Sequence, residues 1–87
     1  MKKFRADREI VLEAVKHSKG LQHASTKLRG DREIVLVAVK SNGWALEFAS
    51  TELHADREIV LFAIKNDEYS LRFASEELKN KISPLIN

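Results

Sequence analysis

No cysteine occurs among the 87 residues, so neither a disulfide framework nor thiolate chemistry is available to the chain. That absence suits a reducing compartment. Long apolar runs are missing too, and nothing approaches the roughly 20 consecutive apolar residues a membrane span requires. The opening MKKF carries two lysines with no apolar stretch behind them, which argues against a secretory signal. Together these absences predict a cytoplasmic protein with no membrane partner. Nor is charge of one sign in excess, since 15 Lys and Arg face 13 Asp and Glu for a net charge of +2. A nucleic-acid binder more commonly shows a lopsided surplus or a dense basic stripe. What remains, 44% hydrophobic and 32% charged, is the composition of a soluble globular domain. A chain this short makes one such domain at most and buries only about 60–65% of its unfolded surface.

Repetition is what the chain has in plenty. DREIVL begins at Asp7, Asp31 and Asp56, at spacings of 24 and then 25 residues. The single repeat domain, 1–87, divides into units 7–30, 31–55 and 56–80 with a capping tail at 81–87. The first unit is one residue shorter, and the gap falls between His17 and Leu21. A deletion is tolerated in a turn, where it does not rotate a packed face, so turns are expected at HSKG, SNGW and NDEY. Gly20 and Gly43 would end the preceding helix through the left-handed region. Glu68 stands where Gly43 does, which implies that the third turn manages without positive φ.

Each unit is predicted to be two helices. Asp7, Asp31 and Asp56 are expected to N-cap the first, accepting backbone N–H groups that have no partner within the helix. Glu9, Glu33 and Glu58 fall in its first turn and Lys16, Lys40 and Lys65 near its end, both favourable to the helix dipole. Ile10, Val11, Ala14 and Val15 share one apolar face while Leu12 points away, which fits a helix flanked on more than one side. The second, shorter helix is expected from Trp44 to Leu53 and from Tyr69 to Leu78. Leu46, Ala49 and Leu53 share its side, matched by Leu71, Ala74 and Leu78 and by Leu21, Ala24 and Leu28. One hairpin cannot hide these faces alone, but three stacked copies can. The expected fold class is therefore all-α, with three tandem helix-turn-helix repeats stacked as a short array of either hand. The seventh residue of each unit runs Glu13, Val37, Phe62, as if the first faced water and the others a neighbour. In the tail, Lys81 stands near where a fourth Asp would open a unit. Ile82, Leu85 and Ile86 are expected to cover the last repeat, and Pro84 to stop any helix continuing through it.

The phrases D-R-E-I-V-L-x-A-[VI]-K, W-A-L-E-F-A-S and E-L-x-x-D carry a resemblance. The chain resembles the DUF4116 family, whose repeats share a D-x-E-[IVL]-V-L-x-A-[VI] opening and an L-x-x-A-S-x-x-L closing. The opening corresponds to Asp7–Val15, Asp31–Val39 and Asp56–Ile64, and the closing to Leu21–Leu28, Leu46–Leu53 and Leu71–Leu78. The resemblance implies a multi-copy interaction repeat and brings no catalytic residues with it. His23 takes the place of Phe48 and Phe73, so a surface built on those aromatics is incomplete in the first unit.

Residues able to do chemistry are scattered. His17, His23 and His54 lack the i,i+4 spacing of a helical metal site and do not recur at equivalent positions. Ser25, Ser50 and Ser75 recur beside an alanine, but no histidine recurs with them to activate a nucleophile. They fit better as residues that tolerate tight helix contacts or bond to the preceding turn. No enzyme, metal or cofactor is expected. Arg8, Arg32 and Arg57 sit in first turns, where the dipole disfavours them. They either pair with an acidic group of the adjacent repeat, such as Glu33 or Glu52, or form a phosphate-binding row with Lys16, Lys40 and Lys65. Trp44 with Phe48, and Tyr69 with Phe73, either fill space between repeats or line a groove for a peptide. The expected function is a noncatalytic helical-repeat scaffold binding a protein or peptide through Trp44, Phe48, Phe62, Tyr69 and Phe73, with Arg8, Arg32 and Arg57 adding specificity. The alternatives are nucleic-acid binding through the Arg and Lys rows, or a purely structural segment of a longer array.

Overall fold

Aspartate caps decide where two of the helices begin. The computed structural model describes residues 2–17 and 20–86, with side chains for 8–17 and 20–84. In chain order the elements are α1 (Lys2–Lys16), the 3₁₀ segment η1 (Leu21–His23), α2 (Thr26–Arg29) and α3 (Arg32–Ser41). They continue with η2 (Gly43–Phe48), η3 (Thr51–Ala55), α4 (Arg57–Asn66), η4 (Glu68–Phe73) and α5 (Glu76–Ile86). The described residues are all-α and contain no strand. Asp31 caps α3 by accepting from the Glu33 and Ile34 N–H groups, and Asp56 caps α4 by accepting from Ile59. Asp7 opens no helix, because α1 already starts at Lys2. Nothing in KKFRA breaks a helix, whereas Gly30 and the closing residue of η3, Ala55, stand before the other two caps. The Asp7 side chain lies outside the described residues.

The expected second helix is split. Each copy has a 3₁₀ segment, an extended break, and then a further helical segment; in the first two copies the break is two residues, Ala24–Ser25 and Ala49–Ser50. The break opens at the recurrent alanine: Ala24 (φ −75°, ψ 158°), Ala49 (−74°, 157°) and Ala74 (−72°, 159°). The serine that follows starts the last segment. Ser25 Oγ accepts from the Leu28 N–H at 3.2 Å and Ser75 Oγ from the Leu78 N–H at 3.3 Å. A short hydroxyl that can bond forward offers the backbone an alternative to continuing the first segment. The spans Trp44–Leu53 and Tyr69–Leu78 therefore break at their alanines, and these serines bond forward, not to the preceding turn.

The turns at 41–44 and 66–69 fall where expected, but without a left-handed glycine. Asn42 and Asp67 make them, with the same backbone at φ −154° and ψ 107° or 108°. Their side chains accept from the Trp44 N–H at 3.1 Å and the Tyr69 N–H at 3.0 Å. Among the described glycines only Gly20 has a positive φ, of 96°. Gly43 is small for another reason: a Cβ there would collide with the Ala63 carbonyl and stand 2.7 Å from Ser70 Oγ. Close approach of η2 to α4 requires the glycine. Glu68, in the same turn with the same geometry, is exposed.

α1 packs on α3 and α3 on α4, while η2 lies against both α3 and α4. The core includes Val15, Leu21, Ile34, Val35, Val39, Leu46, Ile59, Val60 and Ile82. Ile34 and Ile59 are fully buried, but Ile10, at the same place in DREIVL, is 66% exposed. α2 lies against α3 and η3 against α4, whereas no element before α1 is described to cover Ile10. Glu13 is exposed while Val37 and Phe62 pack against the core.

At the other end α5 runs through Pro84 to Ile86, so the proline does not stop the helix. With Lys81 where a fourth capping aspartate would stand, the chain is not broken there. Pro84 falls in the last turn, where it forgoes one N–H bond toward the Asn80 carbonyl without a long helix to disrupt. Ile82 is buried, as expected of the tail. The Leu85 and Ile86 side chains lie outside the described residues.

Candidate functional site

Two of the three repeated arginines are bound to carboxylates across the seams between copies. Arg8 Nε donates to Asp31 Oδ2 at 2.9 Å, and its Nη2 reaches Asp31 Oδ1 at 3.2 Å and Glu33 Oε1 at 2.6 Å. Arg32 repeats the fork on Asp56, at 2.7 and 3.2 Å, and adds Glu58. The capping aspartate thus does two tasks, one within its helix and one toward the previous copy. Arg8, and then the Ile34 and Glu33 N–H groups, hold the Asp31 carboxyl below the usual carboxylate range. Arg32, then the Ile59 and Glu58 N–H groups, do the same for Asp56. In return both guanidinium groups are shifted upward, chiefly by their aspartates. Arg57 makes no ion pair among the described residues. Lys16, Lys40 and Lys65 stand at the far ends of their helices, so no Arg–Lys row forms.

The opposite helix ends are joined by residues the sequence did not single out. Ser41 Oγ donates to the Lys16 carbonyl at 3.0 Å. Asn66 Nδ2, one copy later, donates to the carbonyls of Val39 and Lys40, each at 2.8 Å. Both satisfy carbonyls that have no partner within the preceding helix. The signal was present as a polar residue directly after each Lys40-type position. It reads as an ordinary helix end unless the next copy is known to lie beside it.

The aromatic residues separate into groups. Trp44 is edge-on to Tyr69 at 5.8 Å and to Phe73 at 5.3 Å between ring centres. Its indole Nε1 donates to Asp67 Oδ2 at 2.6 Å. Arg72, not foreseen, lies over the Tyr69 ring at 5.4 Å and near Phe73 at 6.0 Å. It could have been found as a cation where the other copies have Gln22 and Glu47. Phe48 does not join this cluster and lines a cavity of about 90 Å³ with Val15, Leu21, Ala38 and Ala45. In a 3₁₀ segment residues four apart differ by about a third of a turn, so Trp44 and Phe48 do not share a face. Phe62 lies elsewhere on α4, with Lys40 Nζ 4.6 Å from its ring centre. Of the five aromatics considered, Trp44 is 36% and Tyr69 64% exposed, while Phe48, Phe62 and Phe73 are half-buried.

Other side chains do not converge on chemistry. His54 Nε2 is 2.8 Å from the Leu46 carbonyl oxygen, and His17 sits beside Glu13 on exposed surface. Among the described residues no group of three His, Cys, Asp or Glu side chains comes together as a metal site. Ser50 Oγ and Ser70 Oγ are buried with no hydrogen-bond partner among the described residues, close to Gly30 and Gly43 respectively. Among the described residues no helix is long and apolar enough to cross a membrane.

The sequence model of a family described as Domain of unknown function (DUF4116) matches residues 7–54 and 56–81. No curated protein and no solved structure matches the chain.

Proposed function

The chain belongs to the DUF4116 family, and from that premise we propose that it is a noncatalytic helical-repeat module that binds a partner protein. The binding surface is the cluster of Trp44, Tyr69, Phe73 and Arg72. The observation that carries this reading is the exposure of Trp44 and Tyr69 while both rings are held edge to face. Rigid aromatic rings open to solvent lose little freedom on binding and commonly anchor interfaces. Arg72 adds a cation beside them, so the matching segment carries an apolar residue for the rings and a carboxylate for the guanidinium. A cytoplasmic setting, in keeping with the lack of cysteine, belongs to the same proposal.

Protein binding is favoured over nucleic-acid binding by the state of the arginines. Arg8 and Arg32 already donate to carboxylates, and Glu33 and Glu58 beside them would repel phosphate. Selection of a displayed random-peptide library on the immobilised chain tests the reading. Enriched peptides should pair an acidic with an apolar residue and be lost with Tyr69→Ala or Arg72→Glu, both exposed positions. The same peptides emerging on W44A/Y69A would overturn it.

A further inference from the structure

At the seam between α3 and α4, Arg32, Leu36 and Lys40 form a stripe one helical turn apart, directed at α4. Arg32 reaches Asp56 and Glu58, Leu36 packs against the core, and Lys40 lies over Phe62. Arg8 makes the matching contact from α1 to Asp31 and Glu33 on α3. On α4 the same residue types recur at the same spacing as Arg57, Leu61 and Lys65, and all three are exposed. Arg57 and Lys65 have no ion pair among the described residues, and Leu61 is 41% exposed. With Glu58 and Phe62 they line an open, mainly apolar groove of about 520 Å³.

The far side of the row presents the opposite half. Glu9 occupies the position of Glu33 and Glu58, and Glu13 that of Phe62; both are exposed. Glu9 has no ion pair among the described residues. Among the described residues Glu13 pairs with Lys16 and His17 of its own chain stretch, at 3.7 and 3.4 Å.

We propose that the chain associates head to tail, with Arg57, Leu61 and Lys65 of one copy docking on α1 of a second copy. Repeating the internal seam brings Arg57 to Glu9 and Lys65 to Glu13. Like ends repel, because two α4 faces would oppose Arg and Lys to Arg and Lys, and two α1 faces would oppose carboxylates. The contact is therefore heterologous, and copies add in a line instead of closing as a two-fold dimer.

Sedimentation equilibrium over a concentration series tests this. The mass should rise with concentration past that of a dimer and fall as salt is added. R57E and E9R should each remain monomeric, since each sets like charges against one another where residue 57 meets residue 9. Mixed in equal amounts they should associate again, because each supplies the intact end the other lacks. Both positions are exposed, and circular dichroism confirms that each variant is folded. Wild-type chain that stays monomeric up to about a millimolar overturns the proposal. So does association that survives in either variant alone, or a mixture that remains monomeric. A dimer abolished by Y69A and indifferent to R57E also overturns it, placing the contact at the aromatic cluster.

Discussion

α3 and α4 open with the same five residues, REIVL, behind the same capping aspartate, yet α3 packs against both α1 and α4 while α4 has α3 as its helical neighbour among the described residues. Glu33 and Glu58 both receive an arginine from the copy before. Arg32 gives to the copy after, while Arg57 gives to nothing described. The same leucine is half-buried at Leu36 and 41% exposed at Leu61. Identical residues thus have different energetic weight, set by what lies beside their helix. Each copy carries both halves of a seam, one donating and one receiving.

Position against position, the largest effect should come from the core isoleucine. Ile34→Ala should cost about 2–5 kcal/mol, whereas Ile10→Ala should stay within about 0.5 kcal/mol. Urea unfolding of the two variants checks this, and equal losses would break the idea that neighbours decide. Next comes the close approach at η2. Gly43→Ala should destabilise by about 1–3 kcal/mol through overpacking against Ala63, while Glu68→Ala, in the same turn without that contact, should be close to neutral in thermal melts. Removing a cap is smaller: Asp31→Ala and Asp56→Ala should each cost about 0.5–2 kcal/mol, seen as a lower urea midpoint.

Acid provides the finest distinction. Asp31 and Asp56 are held below their ordinary carboxyl value of 3.8 in the folded chain. A carboxyl lowered in this way stabilises the fold above its unfolded pKa, and that contribution is lost as pH falls through the folded value. Stability should therefore be insensitive to these groups near neutrality and decline below about pH 4. Arg8→Gln or Arg32→Gln should flatten that decline, while Arg57→Gln should leave it unchanged. An acid limb altered equally by all three would mean that Arg57 has a carboxylate partner after all.

The all-α class and the caps at Asp31 and Asp56 were legible because they depend on local chemistry. The 3₁₀ segments were not, since six residues are too few for a period of 3.6 to be told from one of 3.0. That error alone placed Trp44 and Phe48 on a common face. The sequence offers Glu33 as an arginine partner, but local chemistry assigns the aspartates only to their own helix caps. Their second task depends on two copies lying side by side. For the same reason Gly43 read as a turn residue: the atom that forbids a side chain there belongs to Ala63, 20 residues later.

Trp44 is the only tryptophan in the chain, and its indole N–H is bound to Asp67 in the following copy. Its emission therefore reports on one seam and not on the molecule as a whole. Opening that seam would hydrate the indole, shift its fluorescence to the red and weaken energy transfer from the adjacent Tyr69. A red shift that precedes loss of the helical circular-dichroism signal would show the units parting before they unfold.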